Sequence, residues 1–283
     1  MDVMRKTGGA GALLLIALSS GACADSGSPP VAPRPSSGLY EANATVLDDG
    51  DGPELCLGAI AESLPPQCGG IPIHGWTWDA IEGEQSAQGV TWGEFHVVGT
   101  YDGSSFTIER AGPLEAVPPD DGDPFATPCP EPAGGWTSSG PRIGEMDVNA
   151  ATRMAEDIPG YAGIWIDYVD EPVEFADPGP MVLNVAFTGE PETHEDALRD
   201  AWDGPLCLIS FERTFRELRR TQDDLSEGGG AQEASLELLS SSIDVMTNQV
   251  EVGVVVTTAE AERALDEAYG AGTIQVVPAL RPI

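Results

Sequence analysis

The side chains in this 283-residue sequence best suited to chemistry are five cysteines, three histidines and a large excess of carboxylates, 47 acidic against 13 basic residues. Four cysteines, Cys56, Cys68, Cys129 and Cys207, lie in the body of the chain. None are spaced as C-x-x-C, and His74, His96 and His194 are far apart in sequence, so no metal ligand set is assigned. An even set of cysteines reads instead as two disulfides, with three pairings open. Cys56–Cys68, closing a short loop around Pro65-Pro66, is the expected bridge, and Cys129–Cys207 would tie the two halves together. Glu94 and His96 stand two apart, so on a strand they share a face. That is the spacing of an acid–base or metal pair, with a surface ion pair as the blander reading. With His194 they are the candidates for a carboxylate-dependent hydrolase, but with so many acids a pair of carboxylates carries little information. Trp76, Trp78 and Trp92 could form an aromatic platform for carbohydrate or peptide; core packing is the simpler reading. Loops 48–52 and 118–124 are acidic enough for calcium, yet neither keeps the ligand spacing or the closing Glu of an EF-hand loop, and turn chemistry accounts for both. No catalytic residue and no cofactor is assigned.

Composition narrows the partners. The formal net charge is −34 and the only lysine is Lys6. Nucleic acid is an unsuitable partner, because phosphate contacts require clustered cations. An anionic membrane surface is unsuitable for the same reason. The acidity reads first as solubility and mutual repulsion outside the cell, and second as cation binding or docking to a basic partner.

The N-terminus has the layout of an export signal. Arg5 and Lys6 precede an apolar run from Gly8 to Leu18, too short to span a bilayer. Ser20-Gly21-Ala22-Cys23 resembles a bacterial lipobox, which implies a signal peptide over 1–22 and an acylated (palmitate-bearing) lipoprotein anchored through Cys23. Cleavage after Ala24, at Ala22-Cys23-Ala24, is the alternative and would release a secreted protein. Residues 23–38 are rich in Ser, Pro and Gly and read as a disordered tether.

Two folded regions are expected beyond it, in an α+β protein. Residues 39–140 read as mainly β. Phe95, Val97, Gly99 and Tyr101 alternate with Glu94, His96, Val98 and Thr100, and Asp102-Gly103 then signals a hairpin. Short strands at this spacing suggest a barrel or sandwich, and Val97 to Phe106 resembles the first hairpin of an OB-fold. A Pro/Gly-rich connector, 112–141, places the boundary near residue 140. Residues 141–283 alternate helix and strand. Helices are expected over 147–158, 193–202, from the Thr214–Glu217 capping box, over 231–240, and from a second capping box at Thr257–Glu260. Strands are expected over 163–168, 181–187, 206–211, 242–256 and 273–280. This order suggests one antiparallel sheet with helices on a single face, a ferredoxin-like split βαβ sandwich. Arg213, Arg216, Arg219 and Arg220 could form a docking patch, but Glu212–Arg216, Arg213–Glu217, Arg219–Asp223 and Arg220–Asp224 are all i,i+4 pairs, which reads as a salt-bridged solvent face.

Tyr161 to Asp167, the 181–188 strand, Phe215-x-x-Leu218 and above all Asp244-Val245-x-Thr247-Asn248-x-Val250-x-Val252 resemble the pro-regions of exported bacterial serine proteases of the streptogrisin and α-lytic type. The resemblance implies a protein-binding α/β module that templates or inhibits a protease. It covers about residues 160–280. No protease domain follows in this sequence, and neither G-D-S-G nor G-x-S-x-G occurs. The expectation is therefore a non-enzymatic, lipid-anchored envelope protein that binds an unknown protein or peptide. A pro-region-like inhibitor or chaperone, a carboxylate-dependent hydrolase and a structural or cation-buffering protein are the alternatives.

Overall fold

A computed structural model describes residues 38–116, 122–136, 145–168 and 181–283. The export signal, Cys23, most of the tether, part of the 118–124 loop and the boundary near residue 140 lie outside the described residues.

The first half is a closed barrel. Its strands are β1 (Tyr40–Asp48), β2 (Pro53–Cys56), β3 (Ile71–His74), β4 (Gln85–Ala87), β5 (Val90–Tyr101) and β6 (Phe106–Gly112), with a one-turn 3-10 helix at Trp78–Ala80 between β3 and β4. β1 pairs with β2, β2 with β3, β3 with β6 in parallel, β6 with β5, and β5 returns to β1, closing a five-stranded ring. Antiparallel neighbours with a single parallel closure between the third and last ring strands make an OB-type Greek-key connectivity. The 97–106 hairpin is thus the last of the barrel rather than the first. The period-two reading of β5 holds. Phe95, Val97 and Tyr101 point inward with Tyr40, Ala42, Val46, Leu55 and Phe106, while Glu94 and Thr100 are exposed on the outer wall. Closure removes the free edges that a five-stranded sheet would otherwise expose. β4 lies along β5 outside the ring.

The second half is built from two copies of one unit. The first comprises α1 (Glu145–Asp157), β7 (Tyr161–Tyr168), β8 (Met181–Thr188), a 3-10 turn at Pro191–His194 running into α2 (Glu195–Arg199), and β9 (Leu206–Phe211). The second comprises α3 (Phe215–Ser226), the short α4 (Gly229–Glu233), β10 (Leu238–Asp244), β11 (Gln249–Val254), α5 (Ala259–Tyr269) and β12 (Ile274–Pro278). Each forms a three-stranded sheet, an antiparallel hairpin followed by a helical crossover to a parallel strand: β7-β8-β9 and β10-β11-β12. The correspondence extends to single residues. Both hairpins carry a register shift at the same place, between Tyr161 and Gly163 in one and Leu238 and Ser240 in the other. Leu183, Val185 and Phe187 of β8 match Val250, Val252 and Val254 of β11, and all six are fully buried under the helices of their own unit. Ala197-Leu198 in the first crossover matches Ala264-Leu265 in the second, and both leucines are buried.

The single ferredoxin-like sheet is therefore corrected to two sheets. The reason lies at residues 244–248, where the expected strand 242–256 folds back on itself. Asp244 accepts from the backbone N–H groups of Met246 (2.9 Å) and Thr247 (3.3 Å) and from the Thr247 hydroxyl (2.8 Å). Asn248 then takes the left-handed conformation, φ 58°, which Asn tolerates better than most residues. Each helical crossover sets its next strand parallel to the preceding one, which completes a sheet locally. The helix expected over 231–240 is likewise only α4, after which the chain extends into β10. α3 starts as expected, with a complete Thr214–Glu217 capping box; α5 is capped by Thr258 rather than Thr257, its hydroxyl accepting from Ala261 N–H at 3.2 Å.

The chain ends where the barrel begins. β13 (Arg281–Pro282) pairs with the start of β1, and Val255 and Leu280 are buried in the barrel core.

Candidate functional site

Both disulfides form as expected, Cys56–Cys68 and Cys129–Cys207, with Cα separations of 5.9 and 5.8 Å. The first pins β2 to the loop before β3. The second fastens the connector to β9, on the sheet face of the first unit turned away from its helices. Around it, Thr127 N–H donates to Asp167 Oδ2 (2.7 Å) and the Trp165 indole N–H to the Phe125 carbonyl (3.2 Å). Val245 of the second hairpin closes the same face; it sits so near Gly163 that a Cβ there would lie 2.9 Å from Val245 Cβ. Cys129–Cys207 thus ties connector to first unit.

The Trp residues separate. Trp76 and Trp78 meet edge-on at 5.3 Å and pack against Phe95, while Trp92 is buried with Leu47 and Cys56 on the outer side of the wall. They pack as core and do not make one platform. His194 packs against Phe187 with the rings tilted by 47° and their centroids 4.5 Å apart. In loop 48–52, Asp48 and Asp49 accept from the N–H groups of Gly50 and Asp51, and in the second acidic loop Asp123 accepts from Phe125 N–H, which is turn chemistry. Glu54, Cys56 and Cys68 lie close together, but both sulfurs are committed to a disulfide and are not thiolate ligands.

Glu94 and His96 share the outer wall, as the spacing requires, but Glu94 is exposed and His96 meets other carboxylates. His96 Nε2 lies 3.5 Å from Glu41 Oε2 and 3.4 Å from Glu115 Oε2. Glu41 comes from β1, where it faces Val98, diagonal to His96 across the β1–β5 ladder. Glu115 follows β6, and its backbone is held by Asn43, whose amide donates to Glu115 O (2.8 Å) and accepts from Glu115 N–H (3.1 Å).

The arginines do not form the expected ladder. Glu217 turns back to its own N-cap, accepting from Thr214 N–H (2.8 Å) and hydroxyl (2.7 Å), and these bonds hold its carboxyl below the usual carboxylate range. Arg213 braces the second unit, donating to Thr273 Oγ1 (2.9 Å) and Ala271 O (3.0 Å), while its backbone and the Asn248 side chain exchange two hydrogen bonds. Arg219 lies over the Phe215 ring, 5.4 Å from its centroid, a cation–π placement. Asp224 accepts from the Tyr269 hydroxyl at 2.5 Å.

This leaves a cleft between the end of α1 and the start of α3. Its volume is about 580 Å³, and it is lined by residues 156–161 and by Thr214, Phe215, Arg216 and Arg219. Tyr161 and Phe215 form an aromatic floor, ring centroids 5.8 Å apart. Burial, reinforced by nearby Glu156, pushes the Tyr161 hydroxyl up to about 12, so it stays a neutral donor. Arg216 and Arg219 stand on one rim and Glu156 and Asp157 on the other. Sequence spacing pointed to the arginines but not to Tyr161, because the contact joins two structural units. A scan against protein-family models and a search among curated proteins each returned no match.

Proposed function

We propose that this is an exported, lipid-anchored envelope protein that works by binding a protein partner rather than by catalysis, and that the α1–α3 cleft receives the partner. The observation that carries this reading is the convergence in one concavity of an aromatic floor and two arginines, in a chain with only 13 basic residues. Aromatic and Arg side chains are the groups that dominate protein-recognition sites. The ligand that fits is a peptide segment with an apolar side chain beside a carboxylate: the apolar group over Tyr161 and Phe215, the carboxylate on Arg216 and Arg219. The overall negative charge does not forbid this, since at physiological ionic strength charges more than about 8 Å away are largely screened. The two disulfides support the extracytoplasmic placement, because such bonds persist in oxidising compartments.

Binding of the full chain to an array of immobilised peptides, varied in charge and in apolar content, tests the reading. The expected result is a preference for acidic–apolar peptides that Arg216→Glu/Arg219→Glu converts to a preference for basic ones, while Arg263→Glu on α5 changes nothing. Equal binding to all peptides, or a preference the double variant leaves intact, overturns it.

A further inference from the structure

The cluster on the outer wall of the barrel holds its imidazole within ion-pair distance of two carboxylates but without a hydrogen bond to either. His96 Nε2 is buried and makes no hydrogen bond, although two carboxylate oxygens flank it at 3.5 and 3.4 Å. A hydrogen-bonded His–carboxylate pair would close to about 2.7–2.9 Å. The observed separations match a different object. Around a tetrahedral zinc ion, with metal–nitrogen and metal–oxygen distances of about 2.0–2.2 Å, neighbouring ligand atoms stand about 3.3–3.6 Å apart. One ligand atom each from Glu41, His96 and Glu115 lie within 4.8 Å of one another, which is compatible with three corners of such a site.

We infer that Glu41, His96 and Glu115 form a divalent transition-metal site, with zinc as the natural occupant. An imidazole among the ligands favours zinc and its neighbours over calcium or magnesium, which prefer all-oxygen sets. The surroundings are those of a prepared site. Arg281 Nη2 stands 3.5 Å from Glu41 Oε1, the oxygen that does not face His96. Asn43 fixes the backbone of Glu115 by its two reciprocal bonds. Such outer contacts orient metal ligands. The three ligands come from β1, from β5 and from the segment after β6, so the ion staples three parts of the barrel wall. The fourth position is left to water or to an outside ligand. This site is separate from the α1–α3 cleft.

The test uses the full chain stripped with EDTA and titrated with Zn²⁺, followed by calorimetry and thermal melting. One ion per chain and a raised melting temperature are expected, with both lost in His96→Ala and in Glu115→Gln, and both kept in Glu94→Gln. Glu115 is 63% exposed at its side chain, so its variant will fold. Loading with Co²⁺ should give the strong visible absorption of a four-coordinate ion. Many weak sites per chain, unchanged in Glu115→Gln, would mean diffuse binding to surface carboxylates and would overturn the inference. So would binding that survives His96→Ala.

Discussion

The two α/β units share a skeleton and differ in what covers it. On the face turned away from the helices, Trp165, Asn184 and Ala186 of the first sheet are buried, at 8%, 0% and 0% exposure. Their counterparts by strand register are Ser242, Glu251 and Gly253, of which Ser242 is exposed and the other two half-buried. Cys207, bonded to the connector, corresponds to the exposed Gln275. One sequence pattern, an apolar strand followed by a capped crossover helix, builds both units. The residues on the second face decide whether that face joins a core. Trp165, with Ile209 and Phe211, packs against Val245 and Met246 of the turn and bonds the connector at Phe125 O, whereas Ser242 and Gln275 of the second sheet stay exposed.

The largest expected effect separates the two disulfides. With sequence separations of 78 and 12 residues, the loop-entropy relation gives about 4.5 kcal/mol for Cys129–Cys207 and about 3 kcal/mol for Cys56–Cys68. Replacing each pair with alanine and comparing urea midpoints checks the order. A smaller loss at Cys129–Cys207 would mean that the first unit holds its cover without the cross-link. Next in size is the residue closing each crossover. Trp202, 1% exposed and donating its indole N–H to Pro205 O at 2.7 Å, should cost about 4 kcal/mol as Trp202→Ala. Its counterpart Tyr269 is half-buried and held mainly by hydrogen bonds to Asp224 and Gly230, so Tyr269→Ala should cost about 2 kcal/mol. Equal losses would show that the second unit depends on its aromatic as much as the first. The smallest effect concerns the α3 cap: Thr214→Ala should cost about 1 kcal/mol at neutral pH. Part of that comes from the Thr214 hydroxyl accepting from Glu217 N–H (3.2 Å), which does not titrate; the part carried by the Glu217 carboxylate, held below its unfolded value, is present above the ordinary carboxylate range and lost as pH falls through the folded value. The gap in melting temperature between wild type and Thr214→Ala should therefore narrow in acid without closing, and a pH-independent gap would remove the Glu217 carboxylate from the explanation.

Local signals in the sequence were readable and non-local ones were not. The alternation along β5 and the Thr214–Glu217 box each depend on residues a few positions apart, and both are found. The partition into two sheets depended on the turn made by Asp244 and Asn248, which β-branched neighbours on both sides disguised as the middle of a strand. The repeat was present in plain letters, Ala197-Leu198-Arg199-Asp200-Ala201-Trp202 against Ala264-Leu265-Asp266-Glu267-Ala268-Tyr269, but is short and differs at the charged positions. At the barrel wall, His96 stood out and its partners did not. Glu41 reaches it only across the β1–β5 register and Glu115 only through the return of β6. Among 47 acidic residues nothing in the letters distinguishes those two.

β1 has a mechanical role that follows from its pairing. It is hydrogen-bonded to β5 along all nine of its residues, and β13 flanks its first two. Displacing β1 would break its ladders with β5, β2 and β13 together. Opening the barrel at its first strand is therefore coupled to releasing β13, at the other end of the chain.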